Sequence, residues 1–371
     1  MKYYIIAGEA SGDLHGSNLM KALQDKDVNA DFRFWGGNLM QDVGGELVKH
    51  YKELAFMGFS EVLMNLSTIA KNLSNCKKDI EIYQPDCIIF IDYPGFNLRI
   101  AKWAKQKGFN THYYISPQIW AWKEDRIKSI KRDVDKMYVI LPFEKEFYEI
   151  KHNYPVEFVG HPLIDAISNR EQVDEFDFRV AHELNDKPII ALLPGSRKQE
   201  IKKVLSVMLS VVPDFQDYQF VIAGAPSQDY GFYQSFIKDS NIKFVSNKTY
   251  DLLSVSSAAL VTSGTATLET ALFKIPQVVC YKGGWLSYQI GKILVKHIKY
   301  ISLVNLIMDE EVVTELIQSN LNKKSLKKEL SIILDNYERT KFFISYYELE
   351  KKLGGKGASL KVADLVYNSI N

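Results

Sequence analysis

The chain lacks most of the features that assign a protein quickly. Its three cysteines, Cys76, Cys87 and Cys280, are scattered and odd in number, which argues against a disulfide framework and a zinc site and suits a reducing compartment. Net charge is almost absent: 46 Lys and Arg oppose 45 Asp and Glu, leaving +1. No global field draws the protein to nucleic acid or to an anionic bilayer, so no nucleic-acid partner is expected and any such attraction has to be local. The uncharged stretch Leu252 to Leu268 is rich in Ser, Thr, Gly and Ala, whereas a spanning helix needs about 20 predominantly apolar residues. The opening "MKYYIIAGEASGD" reaches acids within nine residues, too early for the apolar segment of a signal peptide, so a cytoplasmic protein is expected. Short-period repeats and low-complexity tracts are missing as well. Aromatics, by contrast, are plentiful, with 21 Tyr, 20 Phe and 5 Trp; this exceeds what a core of this size requires and leaves some to face lipid or substrate.

A chain of 371 residues suggests two domains. Short apolar runs of strand type recur, "YYIIAG", "CIIFID", "THYYIS", "KMYVILP" and "VEFVG" in the first half, "PIIALLPGS", "YQFVIAG", "IKFVS", "AALVTSG" and "QVVCYK" in the second. Each is followed by a segment long enough for a helix. Strand alternating with helix predicts an α/β fold of two Rossmann-like, doubly wound parallel sheets. The expected division is an N-terminal domain over 1–168, a charged linker over 169–187, a C-terminal domain over 188–335 and a helical tail over 336–371. In that tail Leu360, Val362, Leu365 and Val366 form a stripe that packs back on a sheet domain. Ligands of open parallel sheets bind beyond the carboxyl ends of the strands, and two such domains facing each other make a cleft.

The loops after the strands are therefore where chemistry is sought. "GEASGDLHG", Gly8 to Gly16, leads from a strand into a helix near Leu14, so its N–H groups offer an anion or hydroxyl cradle. It fits neither G-x-G-x-x-G nor the Walker spacing, and it reads equally as a tight turn with Asp13 capping the helix. In "LLPGSRKQEI", Gly195 and Ser196 sit at a strand-to-helix junction and Arg197 adds a fork of donors, a combination suited to phosphate; alternatively Arg197 pairs with Glu200. In "VTSGTATLETALF", the turn Thr262 to Gly264 precedes a helix starting near Thr265, and Glu269, one turn in, could accept from ribose hydroxyls. Two phosphate-suited loops place a nucleotide in the second half. Asp92 ends the strand "CIIFI", where a carboxylate takes a proton from an attacking hydroxyl or simply caps a turn; Glu9, Asp13 and His15 compete, and His15 and His161 rank below Asp92. "SPQIWAWKEDRIKSIKR" joins Trp120 and Trp122 to Arg126, Lys128, Lys131 and Arg132, for a lipid headgroup, an acceptor phosphate or a solvated helix. Phe56 to Ala70 reads as either a membrane-docking face or ordinary core.

Five ordered segments, "GEASGD", "SPQIWAW", "FVGHPL", "LPGSR" and "SGTATLE", resemble the lipid-A-disaccharide synthase family over roughly Lys2 to Gln318. The resemblance implies a GT-B glycosyltransferase joining UDP-2,3-diacylglucosamine to 2,3-diacylglucosamine 1-phosphate through a β(1→6) bond with loss of UDP, on the inner-membrane surface. Carried over, Ser196, Arg197, Ser263, Gly264, Thr265, Thr267 and Glu269 bind UDP, with Gly195 and Asn305 in the same site. Ser11, Gly12, Glu9, Asp13 and Asp92 line the acceptor side. With the helical tail, the family also implies a homodimer through exchanged C-terminal segments. Two departures stand out. Gly95 occupies a place where members often carry a second acid, leaving Asp92 alone, and Val304 stands in "SLVN" where "SLPN" is usual, which predicts a less rigid loop.

The mechanism expected is a direct inverting displacement in which Asp92 or a nearby acid deprotonates the acceptor hydroxyl. Helix N-termini and Arg197 meet the charge growing on UDP. No cofactor and no metal are expected, since no Asp-x-Asp pair of the kind that often holds a divalent ion in other glycosyltransferases is seen. The competing readings are another UDP-sugar enzyme on this scaffold, a 2-epimerase or the peptidoglycan glycosyltransferase, and a non-catalytic two-domain binding protein.

Overall fold

The computed structural model describes residues 1–54, 66–225, 228–237, 242–284 and 298–370. Most of the segment Phe56 to Ala70 lies outside the described residues. The chain forms two compact units, Met1–Ser168 together with Leu353–Asn371, and Asn169–Lys352.

The first unit holds β1 (Lys2–Ala7), β2 (Asp31–Gly36), β3 (Glu46–His50), β4 (Cys87–Ile91), β5 (Thr111–Tyr114), β6 (Lys136–Val139) and β7 (Glu157–Phe158). All pair in parallel, in the order β3-β2-β1-β4-β5-β6-β7. The second holds β8 (Ile189–Leu193), β9 (Gln219–Gly224), β10 (Lys243–Ser246), β11 (Ser256–Thr262), β12 (Gln277–Tyr281) and β13 (Glu315–Ile317), ordered β10-β9-β8-β11-β12-β13 and again parallel. Every strand expected from the sequence is present. Among the described residues, those not foreseen are β2, whose "DFRFWG" interrupts its apolar residues with Arg33, and the edge strands β3 and β13, which are short or amphipathic because an edge is only half covered.

The central runs are apolar throughout because both sheet faces are covered. In the second sheet Ile190, Leu192, Phe220, Ile222 and Leu260 pack with Leu205 of helix Lys198–Ser210 and Leu326 and Leu330 of helix Lys323–Leu334. Their neighbours Ile189, Ala191, Leu193, Val221 and Val261 point the other way, toward Leu252 and Leu253. Alternation of side chains along a strand thus feeds two apolar layers at once. In the first sheet Tyr4, Ile6, Ile88, Phe90 and Tyr113 pack with Ile80, Ile100 and Ala104.

Residues 169–187 carry a helix of their own, Glu175–Ala181, capped by Asp174 and inserting Phe178 into the second core. Helix Asn336–Lys352 also belongs to the second unit, burying Tyr346 and Leu349, whereas Leu353 onward returns to the first. The return is built from polar contacts. Asp165 accepts hydrogen bonds from the Gly357 and Ser359 amides at 2.6 and 2.9 Å, capping helix Ala358–Ile370. That helix lies on helix Ala10–Lys26. Its buried stripe is Ala358, Ser359, Val362, Ala363 and Val366, a four-residue repeat from which Leu360 falls away, 49% exposed.

Replacing Asp165 by Ala leaves two amides uncapped. Denaturant titration is expected to show a loss of about 1–3 kcal/mol, with amide exchange accelerating first in Ala358–Ile370; unchanged exchange there would contradict the clamp.

Candidate functional site

In the first sheet the strand order reverses between β1 and β4. Their register pairs Ala7 with Ile91, so Gly8 and Asp92 leave the sheet side by side. Asp92 and Tyr93 both take left-handed backbone angles, φ 44° and 49°, a conformation costing about 1–3 kcal/mol each for residues with a side chain. Pro94 then opens helix Pro94–Gln106. The strained turn is held by buried Asn97, whose Nδ2 donates to the Asp92 carbonyl at 2.7 Å and to the Ile6 and Ile91 carbonyls at 3.3 Å, and by Tyr113 Oη, which donates to the Asp92 carbonyl at 2.6 Å. A Cβ on Gly8 would lie 2.3 Å from the Tyr93 ring, so only glycine admits that ring.

The Asp92 carboxylate is half-buried, and its pKa is raised from 3.8 to about 6. Burial is the larger cause, the negative charge of Glu9 the second, and a backbone N–H works against both. Glu9 and Ser11 are exposed at the N-terminal end of helix Ala10–Lys26, which begins four residues earlier than expected. Gly12 does not face outward: a Cβ there would meet Ala7 at 3.1 Å, so it seats the helix on β1. Asp13 is likewise turned inward. It accepts from the amides of Gly37 at 2.7 Å and of Leu39 and Met40 at 3.1 Å, fixing the turn after β2 rather than capping its own helix. His15 and His161 are buried, their pKa values pushed down by burial to about 4 and about 3, so both are neutral.

The second sheet reverses in the same way, between β8 and β11. Gly195, φ 95°, and Gly264, φ 146°, shape the two loops, and a Cβ on Gly195 would approach Thr262 to 3.2 Å. Helices Lys198–Ser210 and Thr265–Leu272 start from these loops with Ser196, Arg197, Gly264 and Thr265 exposed. The Arg197 guanidinium meets Glu200 Oε1 at 3.1 Å while remaining 73% exposed. Ser263 Oγ donates to the Ile301 carbonyl at 2.7 Å. Glu269 is half-buried with Tyr250 Oη donating to it at 2.8 Å; burial pushes its pKa up and that hydrogen bond opposes the rise.

Two residues carried over from the resemblance are engaged in the framework instead. Thr267 is fully buried and donates to the Gly264 carbonyl at 2.8 Å. Asn305 is buried too, exchanging hydrogen bonds with Val313 at 2.8 and 2.9 Å and donating to Glu315 at 3.0 Å. Glu315 also accepts from the Ile301 and Ser302 amides. This carboxylate pins the turn that opens helix Leu303–Met308, in which Val304 is fully buried rather than part of a loose loop. Sequence reasoning missed Asn97, Glu144, Tyr250 and Glu315. Their one signal is a polar residue in a helix-opening or edge position, and it acquires meaning only from backbone groups distant in the chain. The Asp-x-Asp spacings ahead of β2 and β6 are engaged as well: Asp27 holds the Met1 amine, and Asp135 holds Lys105 and Thr111.

A model of the lipid-A-disaccharide synthetase family matches residues 3–362. The chain belongs to this family. It is 37% identical to the lipid-A-disaccharide synthase of Coxiella burnetii (strain CbuK_Q154) over 375 residues, covering 99% of this chain and 98% of that one. To the synthase of Syntrophus aciditrophicus it is 38% identical, covering 97% and 95%. In fold it is similar to the UDP-GlcNAc 2-epimerase from Neisseria meningitidis solved with UDP-GlcNAc, at a TM-score of 0.71, 12% identity and coverage of 99% and 100%. That likeness is of architecture alone and agrees with the two-sheet GT-B type. Family membership makes the protein a glycosyltransferase of lipid A disaccharide synthesis, and the epimerase and binding-protein readings are not favoured.

Gly8→Ala forces the Tyr93 ring to move and is expected to cost about 1–3 kcal/mol, the usual penalty of overpacking. The double variant with Tyr93→Ala should lose less than the sum of the two single changes. Strict additivity in thermal or denaturant unfolding would contradict the contact.

Proposed function

We propose that this chain joins UDP-2,3-diacylglucosamine to 2,3-diacylglucosamine 1-phosphate with inversion, binding the nucleotide on the second unit and the acceptor on the first. The observation that carries the reading is the second sheet's reversal, where two glycine-shaped loops open the N-termini of two helices at adjacent strands. Amide dipoles at such ends favour a diphosphate. Ser196, Arg197, Ser263, Gly264 and Thr265 approach the phosphates, Glu269 the ribose. Gly195, Thr267 and Asn305 shape the loops that do so. As UDP departs, negative charge grows on it, and pre-oriented donors stabilise that charge without reorganising.

On the acceptor side Asp92 is the general base. A carboxylate with a pKa of about 6 is largely ionised at neutral pH and a better base than an ordinary aspartate. Glu9 tunes it, Ser11 approaches the acceptor, Gly12 seats the helix on β1 and Asp13 fixes the turn after β2.

Acyl chains add about 0.8 kcal/mol per buried methylene, so both substrates stay in a bilayer and the protein works peripherally, on the cytoplasmic face of the inner membrane. No helix among the described residues is long and apolar enough to cross one. We also infer a homodimer through exchanged C-terminal segments, for which the Gly354–Gly357 turn, with positive φ at Gly354, Gly355 and Gly357, supplies a hinge.

Incubation with both diacylglucosamine substrates, with UDP release and product mass measured, tests the reading; turnover of non-acylated UDP-sugars in their place would favour another enzyme of this scaffold. In that assay Asp92→Asn is expected to lower kcat by about 10²- to 10⁴-fold. Because the base acts ionised and its pKa is raised, wild-type kcat/KM should fall as pH drops through about 6. Glu9→Gln, by removing a charge that raises the Asp92 pKa, should shift that limb to lower pH; an acid limb unmoved by either change would exclude Asp92. Arg197→Ala is expected to lower turnover at saturating substrates by about tenfold or more, and wild-type turnover in that variant would remove Arg197 from the phosphate site.

A further inference from the structure

The loop after β5, the strand that lies beside the Asp92 turn, carries a cationic cluster. It is built rigidly. Glu144, 1% exposed, accepts from Ser116 Oγ at 2.6 Å and from the Ile140 and Leu141 amides at 3.1 and 2.9 Å. The Trp120 indole helps to stabilise the same carboxylate and stands edge-on to Phe143, with ring centroids 4.8 Å apart. With Trp120 anchored inside, Trp122 projects outward, 48% exposed. The Lys123 Nζ lies 4.4 Å and the Arg126 guanidinium 5.6 Å from the Trp122 ring centroid.

Among the described residues no carboxylate pairs with either cation. The adjacent Glu124 is turned to Lys151 and His152, at 2.7 and 3.0 Å, and Asp125 is exposed on the same turn. Packing against one indole gathers the two cations and restricts their side chains before any anion arrives. Arg126 and Asp92 both lie within electrostatic reach of the Tyr113 phenol. The Asp92 charge raises the pKa of the Tyr113 phenol and the Arg126 charge lowers it, while Tyr113 Oη donates to the Asp92 carbonyl at 2.6 Å.

We propose that Lys123, Arg126 and the open face of Trp122 form the subsite for the acceptor's phosphate monoester. The proposal rests on the acceptor reading above and deepens it. Donor and acceptor share a diacylglucosamine 1-phosphoryl group, and they differ in that the donor's phosphate is closed by a uridylyl group whereas the acceptor's is a free dianionic monoester. Arginine's planar fork grips such a monoester in two places, and a lysine supplies the second charge. Such a cationic pair therefore sorts the two sugar lipids, admitting as acceptor the one with the exposed monoester. The same chemistry would also attract anionic lipid headgroups, so the test separates the two sources.

The full-length protein is assayed in neutral detergent micelles with 2,3-diacylglucosamine 1-phosphate and, separately, with unphosphorylated 2,3-diacylglucosamine as acceptor. Arg126→Ala and Lys123→Ala are each expected to raise the KM for the phosphorylated acceptor by about tenfold, the weight of one charge-assisted hydrogen bond. Donor KM and the kcat/KM for the unphosphorylated acceptor should not change, and Arg126→Lys should recover part of the loss. Equal losses with both acceptors, or none with either, would overturn the subsite. A loss seen only on vesicles containing phosphatidylglycerol, and absent in neutral micelles, would assign the patch to headgroups and overturn it too. If the wild-type protein made no product from the phosphorylated acceptor, the acceptor reading itself would fall. Lys123 is exposed, so its variant should unfold at the wild-type denaturant midpoint, which separates binding from folding.

Discussion

Two parallel sheets, each reversing its strand order once, impose the constraint on which everything else rests. Where β1 lies beside β4, and β8 beside β11, the chain leaves neighbouring strands in opposite directions. The crossovers on either side then diverge, and the first turns of two helices are left open at one place on the sheet's carboxyl edge. Backbone N–H groups at those turns have no partner inside their helices. The anion site proposed for the second unit, and the base proposed beside a helix end in the first, rest on this topology before any particular side chain is considered.

Holding such loops open requires polar side chains that are themselves immobile. Asn97 ties the ends of β1 and β4 to the strained Asp92 turn. Asp13 fixes the turn after β2, Glu144 the loop after β5, and Glu315 the loop ahead of helix Leu303–Met308. Each is a carboxylate or amide whose atoms meet backbone groups, because a buried polar atom without a partner is costly. The residues left facing solvent at the same edges are Glu9, Ser11, Ser196, Arg197 and Thr265. Frame and contact residues are thus interleaved in single motifs: in "SGTATLE", Thr265 is exposed while Thr267 is buried two residues later.

Asp92 shows how such a frame changes chemistry. Its backbone conformation is held by three hydrogen bonds to residues of two elements, Asn97 of helix Pro94–Gln106 and Tyr113 and Tyr114 of β5, and its carboxylate is drawn partly out of water beside Glu9. The raised pKa has the same origin as the strain, since the turn that is difficult to form is also the one that places a charge where solvent is scarce.

The order of strands and helices was legible because central parallel strands, covered on both faces, leave continuous β-branched and aromatic runs such as "CIIFI" and "IIALL". The glycines of the four loops were legible for a related reason: tight strand-to-helix turns admit few residues. The shorter or mixed strands β2, β3 and β13 left weaker traces, as did the division of the tail at Leu353. By itself, then, the sequence determined the α/β class, the positions of the loops and the family to which they belong, all of which rest on local pattern. Only tertiary structure decided which polar residues of those loops face outward and which hold the frame, because Asp13, Thr267 and Asn305 acquire their roles from backbone groups brought to them by folding.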